Sequence, residues 1–369
     1  MSATATRSAV AVESLEVSAY EIPTEEPESD GTLEWDSTTI VVVEAHAGDR
    51  TGLGYTYGPA AAGALVAEKL APVVEGADAL KVPQAWAAMH RALRNAGTAG
   101  AGAMALSAVD AALWDLAARL LDQPLVRLLG QSHDTAQIYG SGGFCSLSRE
   151  RLQEQLGGCA ADDIPRVKMK VGREPERDAD RVRWAREAIG DDVELMVDAN
   201  GAYRVEQALQ WAEWFRGQGV TWLEEPVSSD DLEGLRAVRD HGPVGLEIAA
   251  GEYAWGLFDL ERMLAAGAVD VLQADVTRCG GITALRRADA LCLARNRPLS
   301  AHCAPALTAH ALCACESAIH LEYFHDHVRV EALLFDGVLD PDGGALRPDL
   351  ERPGHGLELK RSDAARYEL

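Results

Sequence analysis

The stretch Arg166-Val167-Lys168-Met169-Lys170-Val171 reads as a β-strand, since apolar residues alternate with lysines and a strand repeats its facing every two residues. Lys168 and Lys170 share one face, and Val167, Met169 and Val171 share the other. A lone half-buried strand would turn its lysines to water. The chain around this one argues otherwise, because strand-like runs recur at regular intervals and each ends in a polar residue.

Those runs are Ala136–Ser141, Arg166–Val171, Val193–Asp198, Val220–Glu224, Val244–Ala249, Val269–Asp275, Pro298–His302 and His320–Phe324. Helical runs separate them, such as Asp178–Ile189 stopped by Gly190 and Ser228–His241 stopped by Gly242. Ser228 with Asp231 three residues on fits a capping box. Eight strands alternating with helices predict an α/β fold, a parallel TIM-like barrel. The rival doubly wound sheet would need Gly-x-Gly-x-x-Gly after its first strand, and none is present.

Upstream the pattern differs. Ala9–Tyr20 and Thr38–His46 read as strands, Ala47–Gly52 as a turn, and Leu53–Tyr57 as a hairpin partner. Pro23–Gly31, polar and proline-rich, reads as a loop. Helical stretches follow near Ala60–Leu70, Pro83–Ala96 and Ala101–Leu121, the last with Leu106, Val109, Leu113 and Leu116 at the spacing of a buried helix. Residues 1–130 are thus expected to form an α+β capping domain, and 131–335 the barrel. The tail 336–369, rich in Pro, Gly and Asp, is expected to cross back to the cap.

Length suits this division, since a barrel takes about 250 residues and the chain has 369. A hydrophobic content of 47% supports a large core. The formal charge of −24, with no basic cluster, speaks against nucleic acid and anionic membranes as partners. The seven cysteines lack CxxC spacing, which argues against a zinc site and for reduced, mostly buried thiols in a cytoplasmic protein. Met1–Val12 holds one Arg and no long apolar run, unlike a signal peptide. No apolar segment is expected to reach the ~18 residues of a membrane span.

Barrels of this kind carry their chemistry at the C-terminal ends of the strands. Here those positions give Lys168 and Lys170, Asp198 followed by Asn200, Glu224 and Glu225, Glu252, Asp275, His302 and Glu322. Lys170, Asp198, Glu224, Glu252, Asp275, His302 and Glu322 follow one another at intervals of 20 to 28 residues, about one β/α unit each. Solvated surface carboxylates have no reason to keep that phase. Asp198, Glu224 and Glu252 make an all-oxygen cluster that favours Mg²⁺. The two lysines disfavour each other's protonation, which is expected to tune Lys170 as a base. Asp275 and His302 end neighbouring strands, so the carboxylate is expected to orient the imidazole and stabilise its cation.

A metal between two proton-transfer groups suits removal of a proton α to a carboxylate. One positioned base contributes about 3–5.5 kcal/mol, whereas enzymes lower barriers by about 8–23 kcal/mol. Charge stabilisation of an enediolate by the metal is therefore expected to carry much of the rest.

The strings VKMKVG, ELMVDANG, WLEEPV, AAGEY, QADVTRCGGIT, SAHCAP and HLEYF, with the helix ALSAVDAALWDLA from Ala105, resemble the mandelate racemase subgroup of the enolase superfamily. Members of that superfamily use a Lys or His base with Mg²⁺. The resemblance implies a (β/α)7β barrel under a cap completed by the C-terminal tail. It makes Asp198, Glu224 and Glu252 the magnesium ligands, Lys170 the base on one face of the substrate, and Lys168 its tuner. His302 with Asp275 becomes the dyad on the other face, and Glu322 an acid that hydrogen-bonds substrate or intermediate. The muconate-cycloisomerase group carries a lysine at the sixth strand end, where this chain has Gln273-Ala274-Asp275-Val276, which speaks against dipeptide epimerase or cycloisomerase chemistry.

Two outcomes stay open after proton removal. Return of a proton to the other face gives racemisation or epimerisation of a 2-hydroxy acid. Expulsion of a β-hydroxyl gives dehydration of an aldonic or aldaric acid to a 2-keto-3-deoxy product, the more numerous outcome in the subgroup. Trp35 and the Pro23–Gly31 loop are expected over the barrel mouth, and Asn200, Tyr253 and Arg278 at its rim as substrate contacts, although Arg278 also suits an ion pair. The acidic Glu25, Glu26 and Glu28 count against a dicarboxylate unless they face solvent. The expected partners are a small carboxylate substrate and further copies of the chain in a homo-oligomer. A metal-dependent hydrolase would need His-x-His on the first barrel strand, and the one such pair, His325 and His327, follows the last strand. A glycosidase would leave the lysines unexplained, and a binding protein with an enolase-like shell would usually lack a ligand or base.

Overall fold

The computed structural model describes residues 10–369, so the first nine residues, including Ala9 of the first expected strand, lie outside the described part. The cap opens with three antiparallel strands, β1 (Ser14–Ser29), β2 (Glu34–Ala47) and β3 (Arg50–Tyr57), in the order β1-β2-β3. Pro23–Ser29, expected as a loop, continues β1. The pairing register shifts between Pro23 and Glu28, and β1 lies at the sheet edge, where prolines cost no ladder hydrogen bonds.

Helix Ala101–Leu120 crosses the sheet and buries Ala105, Leu106, Val109, Leu113 and Leu116. Contrary to the expectation from sequence, it is long and apolar enough to cross a membrane, but it is a core helix packed on β2 and β3. The contact is close: a Cβ at Gly54 would stand 2.2 Å from the Ala108 carbonyl oxygen. The expected helix Ala60–Leu70 is a short α-helix, Ala61–Leu65, followed by a π-helical turn over Val66–Leu70. The next expected helix, Pro83–Ala96, is Val82–Ala92 with a 3₁₀ turn after it.

Eight parallel strands then close into a barrel: β4 (Ala136–Gly142), β5 (Arg166–Lys170), β6 (Glu194–Asp198), β7 (Val220–Glu224), β8 (Glu247–Ala250), β9 (Val271–Ala274), β10 (Leu299–Ala301) and β11 (Ala318–Phe324). Each pairs with the next, and β11 pairs with β4 to complete the ring. β8 starts later than the sequence suggested. Gly245 at φ +88° breaks the extension, leaving Val244 almost fully exposed in the preceding turn. The helix after β7 begins at Leu232, and its cap is Asp231, which accepts from the Gly234 N–H. Ser228 instead accepts from Asp230 N in the turn before, so the expected capping box does not form.

Inside the barrel, Tyr139, Met196, Trp222, Ala249 and Val271 pack into an apolar plug. Polar groups one pleat further along β5–β7 stand above it. The tail returns to the cap: Leu369 N donates to Ala19 O, His355 Nε2 lies 2.7 Å from Leu53 O, and Arg361 pairs with Glu44 at 2.8 Å.

Candidate active site

Lys170, Asp198 and Glu224 are direct neighbours in register across β5, β6 and β7, so one row of inward positions ends in three charged groups. Glu252 joins them from the loop after β8. Gly251 makes this possible at φ +138°, since a Cβ there would stand 2.1 Å from the Gln273 carbonyl oxygen. Non-glycine residues with positive φ follow three strands as well: Asn200 after β6, Glu225 after β7, and Cys303 and Ala304 after β10. Each costs on the order of 1–3 kcal/mol, and their gathering at one end of the barrel marks a place where geometry is held against local preference.

The carboxylates of Asp198, Glu224 and Glu252 converge, with one oxygen from each lying within 4.8 Å of the others. All three are buried. Glu252 Oε2 is buried and faces the His302 imidazole at 3.0 Å, and three converging buried carboxylates call for a cation among them. Burial and then the Asp198 charge push Glu224 up to about 8, a measure of how strongly the cluster calls for positive charge. These residues fit a hard divalent ion.

Lysine supplies part of that charge. Lys168 Nζ lies 2.6 Å from Glu224 Oε1, 2.9 Å from Glu322 Oε1 and 3.7 Å from Asp198 Oδ2. Lys170 Nζ lies 2.5 Å from Asp198 Oδ2. The sequence suggested that the lysines lower one another. Burial, the largest influence, and Lys168 do act that way on Lys170, but Asp198, Glu252 and Glu322 together outweigh them and hold it above the usual lysine range.

On the other side, His302 Nδ1 and Asp275 Oδ2 are 2.7 Å apart. Asp275 is itself fixed, its Oδ1 accepting from Thr277 N at 2.6 Å and Thr277 Oγ1 at 2.7 Å. The other imidazole nitrogen, Nε2, is 3.0 Å from Glu252 Oε2 and 3.3 Å from Glu322 Oε2. Burial alone would lower the imidazolium, but Cys303, Glu252, Glu322 and Asp275 outweigh it and hold His302 well above the usual histidine range.

A cavity of about 340 Å³ opens onto this cluster between cap and barrel. Lys170, Asn200, Glu252, Tyr253, Arg278 and His302 line it from the barrel, and Trp35 from the cap, so the three rim residues and the cap tryptophan share one space. Arg278 is also ion-paired, 3.5 Å from Asp275 and 3.6 Å from Glu252, and stacks over Tyr253 at 5.4 Å. It thus lines the cavity and is ion-paired at once. Asp198, Glu224, Lys168, Asp275 and Glu322 lie deeper, under the floor of this cavity.

The acidic residues of the Pro23–Gly31 stretch do not project into the cavity as a group. Glu28 is buried and accepts from Trp35 Nε1 at 2.9 Å, Glu26 pairs with Arg151, and Glu25 lies 3.4 Å from His325. Asp30, which sequence reasoning passed over, does line the cavity. So do Thr38, Tyr57, Cys303 and His327. His327 stacks on Tyr57 with ring centroids 3.4 Å apart, and burial lowers it to about 3, so it is a neutral packing residue. Cys303 was read as one buried thiol among seven; its Sγ lies 3.3 Å from both His302 Nε2 and Glu322 Oε2. Only its position beside His302 in the string SAHCAP hinted at this.

Comparison with known proteins identifies the family. Residues 18–130 match the mandelate racemase / muconate lactonizing enzyme N-terminal domain, and residues 150–364 match the enolase C-terminal domain-like family. A 3,6-anhydro-alpha-L-galactonate cycloisomerase from Streptomyces coelicolor is 34% identical over 94% of this chain and 97% of its own length. A mandelate racemase/muconate lactonizing enzyme-like protein from Rubrobacter xylanophilus is 64% identical, with a TM-score of 0.95 over 97% of this chain and 100% of that one. The L-talarate/galactarate dehydratase from Salmonella typhimurium, crystallised with Mg and L-lyxarohydroxamate, is 26% identical, with a TM-score of 0.90 over 100% of this chain and 95% of that one. With both of its domains matched and its barrel-end carboxylates and lysines in place, the chain belongs to the mandelate racemase/muconate lactonizing enzyme subgroup of the enolase superfamily.

Proposed function

We propose that the protein is a Mg²⁺-dependent acid-sugar dehydratase that removes the proton α to a carboxylate and eliminates the β-hydroxyl as water, giving a 2-keto-3-deoxy acid. One observation carries this reading. Two proton-transfer groups, Lys170 and His302, reach the same cavity from either side of a three-carboxylate cluster, Lys170 beside Asp198 and His302 beside Glu252. A hard cation held by Asp198, Glu224 and Glu252 would supply charge neutralisation for the substrate carboxylate and would relieve the pull of Asp198 that keeps Lys170 protonated; the Salmonella dehydratase was crystallised with Mg.

The roles of the chain's own residues follow from their surroundings. Lys170 Nζ takes the proton from the carbon α to the carboxylate. Lys168, tied to Glu224 and Glu322, keeps a positive charge at the cluster and holds those two carboxylates in place. His302, kept charged by its neighbours, hands its Nε2 proton to the departing hydroxyl, and Asp275 fixes the ring for that transfer. Asn200, Tyr253, Arg278 and Trp35 contact the sugar chain above the reacting carbons.

The cycloisomerase relative favours a second reading. A 3,6-anhydro sugar acid carries its ether oxygen on C3, β to the carboxylate, so the same α-proton removal would expel a ring oxygen instead of water. With that relative in view, the lack of a lysine at the end of β9 no longer sets cycloisomerase chemistry aside. A screen of aldonic, aldaric and anhydro-sugar acids separates the readings. A 2-keto-3-deoxy product from an open-chain acid supports dehydration, and turnover confined to anhydro acids supports the cycloisomerase. Inversion at the α-carbon with every oxygen retained means a racemase and contradicts both.

A further inference from the structure

The barrel mouth holds a second set of converging donors beside the all-oxygen cluster. His302 Nε2, Cys303 Sγ and a carboxylate oxygen of Glu322 lie within 4.8 Å of one another, all from buried residues. Their separations are 3.3 Å for nitrogen to sulfur, 3.3 Å for sulfur to oxygen and 3.3 Å for nitrogen to oxygen. A tetrahedral zinc, with bonds of about 2.0–2.1 Å to nitrogen or oxygen and about 2.3 Å to sulfur, sets its ligand atoms about 3.3–3.6 Å apart. The three atoms already stand at nearly those spacings. We infer that His302, Cys303 and Glu322 form a site for Zn²⁺ or a similarly thiophilic ion, separate in donor set from the magnesium cluster.

Several features support this assignment independently. Zinc-binding histidines usually give their second ring nitrogen to a carboxylate, and His302 Nδ1 is held by Asp275 at 2.7 Å. Glu322 divides its oxygens, with Oε1 facing Lys168 at 2.9 Å and Oε2 facing Cys303 and His302. Glu252 Oε2, a member of the oxygen cluster, lies 3.0 Å from His302 Nε2, so the two donor sets adjoin at that carboxylate without sharing it. Finally, Cys303 adopts a left-handed backbone at φ +53°, a strained conformation that sets its thiol between β10 and β11.

Thiolate and imidazole donors select zinc over magnesium, whereas three carboxylates do not. On binding, the thiol proton and the Nε2 proton leave to water, and the ion takes their places. Under the proposed reaction, on which this consequence rests, His302 then has no proton to donate. The site therefore acts as an inhibitory switch, closed by a thiophilic metal that its nitrogen and sulfur donors prefer to magnesium.

Co²⁺ is the probe, added to the full chain in excess Mg²⁺. One equivalent is expected to produce a thiolate-to-cobalt charge-transfer band in the near ultraviolet, which Zn²⁺ displaces. Cys303→Ser is expected to abolish the band and to weaken Zn²⁺ binding, read by chelator competition, by at least about 100-fold, beyond the 10–100-fold that loss of an outer partner costs. If a thermal melt shows that Cys303→Ser does not fold, His302→Asn is read in the same way and must weaken Zn²⁺ binding likewise. No band with the unaltered protein, a band that survives Cys303→Ser, or unchanged Zn²⁺ affinity in the folded variant overturns the site. The spectra need no substrate, so failure of the site and failure of the proposed reaction remain distinguishable.

Discussion

The two halves of the barrel mouth are built from different chemistry. From β6 to β8 the chain offers only carboxylates, Asp198, Glu224 and Glu252, compensated by lysines. From β9 to β11 it offers a nitrogen, a sulfur and carboxylates, arranged around His302. The first half suits a hard ion that must stay through turnover, and the second suits proton transfer. Glu252 touches both, since it belongs to the oxygen cluster and lies beside His302 Nε2. One barrel end can thus keep a cation and an acid side by side without merging them.

The largest expected effect strikes the oxygen half alone. Removal of the cation with EDTA should abolish α-proton exchange of an acid-sugar substrate in D₂O, and added Mg²⁺ should restore it. Glu224→Gln should resist that restoration. Exchange that persists in EDTA would mean that the oxygen cluster is not where the reaction gains its driving force.

A smaller effect is expected on the other half. Asp275→Asn leaves the ring of His302 in place but removes the charge that supports its cation, so turnover should fall about 10²-fold or more with little change in KM. Unchanged turnover would detach His302 from the chemistry.

The smallest effect touches neither half and acts on stability. Burial and then the Asp326 charge raise Glu28, under Trp35, to about 8. The folded protein therefore holds a proton at Glu28 that the unfolded chain releases near pH 4.5, so this group's stabilisation is full at low pH and is lost as pH rises toward 8. The ceiling on that loss is on the order of 5 kcal/mol. Glu28→Gln should flatten this part of the stability profile in urea titrations between pH 5 and 8. A variant with the same slope as the parent would remove Glu28 as its source.

Much of the oxygen half was legible in the sequence, because the β/α unit imposes its own period and Lys170, Asp198, Glu224 and Glu252 fall in phase with it. The eight strands and their closure followed from the same period. The Cys303 contact was not legible. It depends on a positive φ after β10 and on side chains meeting across β10 and β11, neither of which leaves a periodic trace. Pro23–Ser29 misled for another reason: its prolines and acids read as loop, yet an edge strand tolerates proline, and Glu28 is buried by its bond to Trp35. Helix Ala101–Leu120 shows the limit of composition, since its apolar length serves the contact with β2 and β3.

The central claim is that Lys170 removes the α-proton while His302, across the same cavity, protonates the leaving β-hydroxyl. Deuterium incorporation at the α-carbon of the acid sugar selected by the screen tests it most directly, measured with Mg²⁺ in the parent, Lys170→Ala and His302→Asn. Lys170→Ala should lose exchange by about 10²–10⁴-fold, while His302→Asn should keep exchange and lose the elimination product. Full exchange in Lys170→Ala, or exchange lost in His302→Asn alone, would contradict the assignment of the two groups.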